Sequence, residues 1–107
     1  MARRTLILVP PSEGKAPGGE GPPWEPGTMA VGELDAQRRK VLQALGRRHE
    51  ARTGPTLPAI ERYTGVLYQG LDAASLRGTP RRRLDRSLLV VSGLWGLVAP
   101  RDPIPHY

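Results

Sequence analysis

Apolar and polar positions change period several times along the chain, and each change marks an element. Thr5 to Val9 is a continuous apolar run stopped by Pro10 and Pro11. Such a run predicts a short strand buried on both faces. Residues 10 to 28 lose all periodicity: glycine, proline and charge surround a lone Trp24, the pattern of a long loop. Leu34, Val41, Leu42 and Leu45 then recur at helical spacing, with Asp35 placed to cap, and predict an amphipathic helix over Asp35–Ala51. Arg38, Arg39, Arg47 and Arg48 fall largely on its other faces.

Thr53, Gly54 and Pro55 break that helix. Ile60 to Leu71 mixes β-formers with glycines and is expected to be extended. Asp72 is placed to cap a short helical turn through Leu76. Thr79 followed by Pro80 predicts a helix over Pro80–Arg86, since proline suits a first helical position. Leu88 to Val91 is a second fully apolar strand, running into the small-residue turn Ser92-Gly93. The tail, with three prolines in its last eight residues, is expected to be irregular. Two apolar strands with helical patterns between them indicate an α/β class, with a parallel pair inside a partial mixed or parallel sheet. The chain of 107 residues allows one domain over 1–107. Two strands make no stable sheet alone, so that domain reads as incomplete.

Composition sharpens this picture. There is no Phe, and 13 Gly with 12 Pro leave a thin supply of core residues. Sixteen Lys and Arg against ten Asp and Glu give +6, and all but Lys15 and Lys40 of the positive charges are Arg. A basic balance favours anionic partners such as nucleic acid. The absence of Cys excludes disulfides, thiolate metal sites and a Cys nucleophile. Arg3 and Arg4 precede an apolar stretch too short for a signal peptide, so a cytoplasmic protein is expected, with no membrane partner.

Candidate chemistry gathers at the end of the first strand, in Ser12-Glu13-Gly14-Lys15. Loops at the carboxyl ends of strands are where open α/β sheets place ligands. Backbone N–H groups around Gly14, with Lys15, suit a small anion. The turn is no phosphate-binding P-loop, because Val9 and Ala16 stand where glycine and a hydroxyl residue are required. Ser12 and Lys15 match the spacing of a lysine-activated serine, but the motifs that accompany such a pair are absent. His49 and His106 lie far apart and belong to no ligand-spaced cluster, so no metal and no cofactor is expected. Asp102, between prolines, reads as a turn residue or an acid. Arg81, Arg82, Arg83 and Arg86 form a basic patch, either a solvated helix face or a nucleic-acid contact. Tyr63, Tyr68 and Trp95 suit the core better than base stacking in so aromatic-poor a chain.

Three stretches together, LILVPPSEGKAPGG, RYTGVLYQGLDAASL and VSGLWGLVAPRDPIPHY, resemble the N-terminal portion of the peroxide-stress protein YaaA family. The resemblance covers nearly the whole chain, while the chain covers less than half of a family member. It implies a cytosolic bacterial protein that protects against hydrogen peroxide by limiting iron-dependent damage, with DNA binding and no firmly attached catalytic activity. The matching positions are Ser12, Glu13, Gly14 and Lys15; Arg62, Tyr63, Thr64 and Gly65; and Ser92, Gly93, Leu94, Trp95 and Gly96. These three turns are expected to meet around one anion or DNA cleft. The family's helix-hairpin-helix stretch has only Arg52 to Leu57 in its place, which weakens DNA binding through that element. The chain ends within a motif that normally continues, so it reads as a fragment or truncated product. Two further readings stand beside the family one: an enzyme of unassigned reaction using the Ser12–Lys15 turn, and a truncated product without function.

Overall fold

The computed structural model describes residues 5–107; Arg3 and Arg4 lie outside them. The strand β1 (Ile7–Val9) runs parallel to β3 (Leu88–Ser92), with Ile7 opposite Leu88 and Val9 opposite Val90. β4 (Gly96–Val98) continues from β3 as an antiparallel hairpin, giving the order β1-β3-β4. A second pair joins β2 (Thr56–Pro58) to β5 (Pro103–Pro105), antiparallel. Helices α1 (Asp35–Leu45), α2 (Glu50–Thr53), α3 (Ala59–Arg62), α4 (Val66–Leu71) and α5 (Gly78–Ser87) fill the intervals. The α/β class and the parallel pair are as the apolar runs indicate.

Several expectations need correction. The first strand is not buried on both faces: Leu6, Ile7 and Leu8 are exposed at 52%, 51% and 61%. Among the described residues β1 pairs with β3 alone, and of its side chains only Val9 packs against the core. β3 buries Leu88, Val90 and Ser92 but leaves Val91 outside, the alternation of a half-covered sheet. The first long helix stops at Leu45, because Gly46 turns the chain at φ +91°. Asp35 does not cap by its own N-cap geometry. It opens the helix, accepts from the Gly27 N–H at 2.9 Å and pairs with Arg38.

The segment Ile60–Leu71 is mostly helical rather than extended. The Ala59 and Ile60 N–H groups donate to Asp102 and Pro100 carbonyls at 2.8 and 2.9 Å. Those first-turn donors would otherwise be unsatisfied, and the tail supplies their acceptors. Local β propensity thus gives way to a long-range hydrogen-bond pattern. Only Tyr63, Thr64 and Gly65 stay outside a helix, and Gly65 at φ +117° leads into α4. After α4, Asp72 takes a left-handed conformation and Ala73–Ser75 makes one 3-10 turn without a side-chain cap. α5 starts at Gly78, two residues before Pro80.

The tail is regular after all. β5 sets Pro103 opposite Pro58 and Pro105 opposite Thr56, with Ile104 between them fully buried. A short two-strand edge tolerates prolines that a central strand would not. Trp95, Val90, Val98, Ile104, Tyr63 and Ala59 form the heart of the core.

Arg38, expected on an outer face, is buried. Its Nε donates to the Trp95 carbonyl at 2.9 Å, Nη1 to Val31 and Asp35 at 2.7 and 2.8 Å, and Nη2 to Leu97 at 3.0 Å. A planar guanidinium can serve four acceptors on two elements at once, and here it fastens α1 to the β3–β4 hairpin.

Candidate functional site

The turn after β1 folds back onto the link between α3 and α4. Lys15 and Tyr63 form an isolated antiparallel bridge, and the Ala16 N–H donates to the Arg62 carbonyl at 2.7 Å. Ser12 Oγ donates to the Gly14 carbonyl at 2.5 Å and accepts from the Thr64 N–H at 3.1 Å. A Cβ on Gly14 would stand 2.7 Å from Thr64 Oγ1, so a larger residue there would push the Thr64 side chain aside. The Tyr68 hydroxyl donates to the Pro10 carbonyl at 2.7 Å, closing the other side of the turn. The first two motifs therefore share one hydrogen-bonded unit.

The third motif joins through a residue that sequence reasoning did not single out. Tyr107 places its hydroxyl 2.6 Å from that of Tyr63 and 2.8 Å from Ser92 Oγ. Ser92 Oγ in turn accepts from the Leu94 and Trp95 N–H groups at 3.2 and 3.1 Å, which shapes the hairpin turn. The Tyr107 ring stands edge-on to both Tyr63 and Trp95, with centroids 6.4 Å away in each case. Tyr63 stacks on Tyr68 at 5.5 Å. The signal for Tyr107 was its rarity: it is one of three tyrosines, at the end of the third motif.

Lys15 lies over this aromatic group. Its Nζ is 4.5 Å from the Tyr107 ring centroid and 6.0 Å from that of Tyr63, within cation–π range. The same Nζ donates to the Ser12 and Glu13 carbonyls at 2.8 and 3.3 Å. It is those carbonyls, and not Ser12 Oγ, that hold the ammonium, while Oγ is engaged with backbone. This arrangement positions a half-buried cation; it does not set up a lysine to deprotonate the serine.

Burial sets the electrostatics of the two inner tyrosines. Loss of solvent, then the Tyr107 hydrogen bond, raises the Tyr63 hydroxyl far above its ordinary value. Burial, with a smaller contribution from Tyr107, pushes Tyr68 up to about 12. Both stay neutral donors and acceptors through the ordinary pH range.

The remaining candidates fall in different places. Arg62 is fully buried; Nε and Nη2 donate to Ile104, Nη2 also to Pro55, and Nη1 to Ala16. Burial pulls its pKa below the usual arginine value, against an opposing pull from Glu50. Its charge is spent on carbonyls and faces inward. Trp95 is likewise core, tilted against Trp24 at 5.5 Å. Gly93 is exposed at the hairpin turn, and Glu13 is exposed on the first turn. Asp102 is a turn residue: its two carboxylate oxygens accept from Ala30 and Ala99 N–H groups at 2.9 and 2.8 Å. Burial raises its pKa, and those two N–H groups partly restore it. His49 Nδ1 accepts from the Ala51 N–H at the start of α2, and His106 faces Glu50 at 3.3 Å.

The arginines of α5 border two hollows. Arg81 and Arg82 border one hollow, while Arg83 borders another with Ile7, Pro80 and Leu84. Arg86 is exposed on the same helix. Between α1 and β2 the structure has only the four-residue α2, so no pair of helices stands where the resemblance would put a hairpin.

A family model described as peroxide stress protein YaaA matches residues 27–107, a span that holds the second and third motifs and Tyr107. A UPF0246 protein of Streptomyces coelicolor is 42% identical across 95% of this chain and 49% of its own length. UPF0246 proteins of Corynebacterium glutamicum and Corynebacterium efficiens are 38% and 37% identical with the same coverage. The chain thus spans about half the length of the curated relatives it matches. The Streptomyces alignment runs over 127 residues, more than the 107 of this chain, so that relative carries inserted residues inside the matched region. These relatives also match across the first motif, which precedes the span of the family model. The chain belongs to the peroxide stress protein YaaA family.

Proposed function

We propose that this chain serves in protection against peroxide by associating with DNA through its arginine-rich surface and limiting iron-dependent damage there, in the cytoplasm. Family membership supports the stress role. The observation that carries the DNA reading is the charge: +6 in all, with the cations almost entirely arginine. Arginine pairs with phosphate in a planar, two-pronged fashion and suits backbone contact without sequence preference. Arg82, Arg83 and Arg86 are exposed on one helix and Arg39, Arg47 and Arg48 are exposed elsewhere. The three-motif cluster around Lys15 is read as the second part of this function, a site for a small anion beside the tyrosines.

The test is fluorescence anisotropy of a labelled duplex titrated with the chain at several salt concentrations. Affinity falls steeply with salt on this reading, as expected when phosphates are neutralised and counterions released. Absence of binding at low salt, or an affinity that salt leaves unmoved, contradicts it. Lys15→Ala separates the two parts: it abolishes small-anion binding at the cluster and lowers DNA affinity only modestly.

No observation favours the serine-nucleophile reading, because Ser12 Oγ is bonded to backbone and Lys15 Nζ to carbonyls.

A further inference from the structure

Four arginines converge where the chain enters α5. Arg77, Arg81, Arg82 and Arg101, with Leu76 and Gly78, line a hollow of about 390 Å³. Arg101 comes from the turn before β5, far along the sequence, so folding and not local sequence assembles the set. The ion pairs these arginines make go to one carboxylate: Asp85 receives Arg81 Nε at 3.1 Å and Arg101 Nε at 2.6 Å. Four positive charges thus share one negative charge. Arg77 and Arg82 bond instead to neutral oxygens, Arg77 Nη1 to the Ala74 and Leu76 carbonyls and Arg82 Nη2 to Thr79 Oγ1.

These bonds orient the guanidinium groups without exhausting them. Each guanidinium carries five N–H donors, and the bonds to protein engage Nη1 of Arg77, Nε and Nη1 of Arg81, Nη2 of Arg82 and Nε of Arg101. The hollow also sits at the start of the ten-residue α5, whose first turn holds no acidic residue and no side-chain cap. The partial positive charge of that terminus adds to the same field. At Gly78, φ +59° and open space beside the Cα let a ligand approach the backbone closely.

We infer that this hollow is a phosphate-recognition site, sized for a di- or triphosphate group or for the phosphates of one nucleic-acid strand. The chemistry fits: planar forks from several directions suit tetrahedral oxyanions, and the volume lies in the range of small-ligand sites. Arg83, although adjacent in sequence, plays no part, because it borders the apolar hollow instead. A nucleic-acid source for the phosphate rests on the function proposed above; a free phosphorylated compound does not.

The experiment is calorimetric titration of the chain with inorganic pyrophosphate, beside duplex-DNA anisotropy, for wild type, Arg77→Ala/Arg82→Ala and Arg47→Ala/Arg48→Ala. The second variant removes the same charge from exposed positions elsewhere. Pyrophosphate binds wild type, weakens at least about tenfold in the first variant and changes less than about twofold in the second. If DNA affinity falls clearly further in the first variant than in the second and pyrophosphate competes with DNA, a strand is the source. If DNA affinity is unmoved or absent while pyrophosphate still depends on Arg77 and Arg82, a free phosphorylated compound is the source; both outcomes uphold the site. No pyrophosphate binding by wild type at low salt, or equal losses in the two variants, overturns it. Each variant is melted first, and Arg82→Ala alone replaces the double change if that variant loses its transition.

Discussion

Tyr107 joins the first, second and third motifs at one point. Its hydroxyl meets Tyr63 and Ser92, and its ring meets Tyr63, Trp95 and Lys15. Tyr107→Phe keeps the ring and strands the buried Tyr63 hydroxyl, at a cost of about 1–3 kcal/mol. A thermal melt reads this as a drop of several degrees, whereas Tyr107→Ala also removes the edge contacts and drops further. Arg62→Lys is not a conservative change at a fully buried fork. An ammonium cannot reach Ile104, Pro55 and Ala16 together, so the melt falls by an amount comparable to losing a buried charge contact, about 3 kcal/mol. The neutral tyrosines carry a pH signature. Unfolded tyrosine ionises near pH 10, while folded Tyr68 does so at about 12 and Tyr63 higher still. Above about pH 10 the unfolded chain releases protons that the folded chain keeps, so stability present below that pH is lost as pH rises. Denaturant midpoints between about pH 9 and 11 fall for wild type, and the fall is shallower for Tyr63→Phe/Tyr68→Phe.

At the scale of elements, the chain's two apolar runs were legible as strands because period and composition agreed there. Their burial was not legible, since it depends on neighbours: β1 pairs with β3 alone and leaves Leu6, Ile7 and Leu8 in solvent. An unpaired strand edge beside exposed apolar side chains invites self-association. Leu8→Lys, at a position 61% exposed, lowers light scattering at high protein concentration and leaves the melt unchanged within about 0.5 kcal/mol. The errors over Ile60–Leu71 and the proline tail share one cause. Asp102 and Pro100 carbonyls accept from the first turn of α3, and β2 pairs with β5, so each segment takes its form from the other. No window of sequence contains both. The same applies to Arg38, whose helical position points outward on a wheel but whose acceptors lie on the β3–β4 hairpin.

For the whole molecule, the three motifs named in the sequence do come together, through Ser12–Thr64, Lys15–Tyr63 and Tyr107–Ser92. Their individual residues were unevenly legible: Trp95 is core, as an aromatic-poor chain suggests, but Arg62 turns inward as scaffold, and Tyr107, marked only by the rarity of tyrosine, has no spacing that points to Tyr63 or Ser92. The arginines likewise had to be sorted by folding, since Arg77 and Arg101 join Arg81 and Arg82 while Arg83 leaves them. On the function proposed above, the chain lies on DNA and shields it from iron and peroxide. The most direct measurement is nicking of supercoiled plasmid by ferrous iron and hydrogen peroxide, with the chain or an inert protein added, at low and high salt. The account predicts that the chain slows nicking at low salt and that high salt abolishes the protection as it abolishes binding. Nicking as fast as with the inert protein at low salt, or protection that salt does not touch, would contradict it.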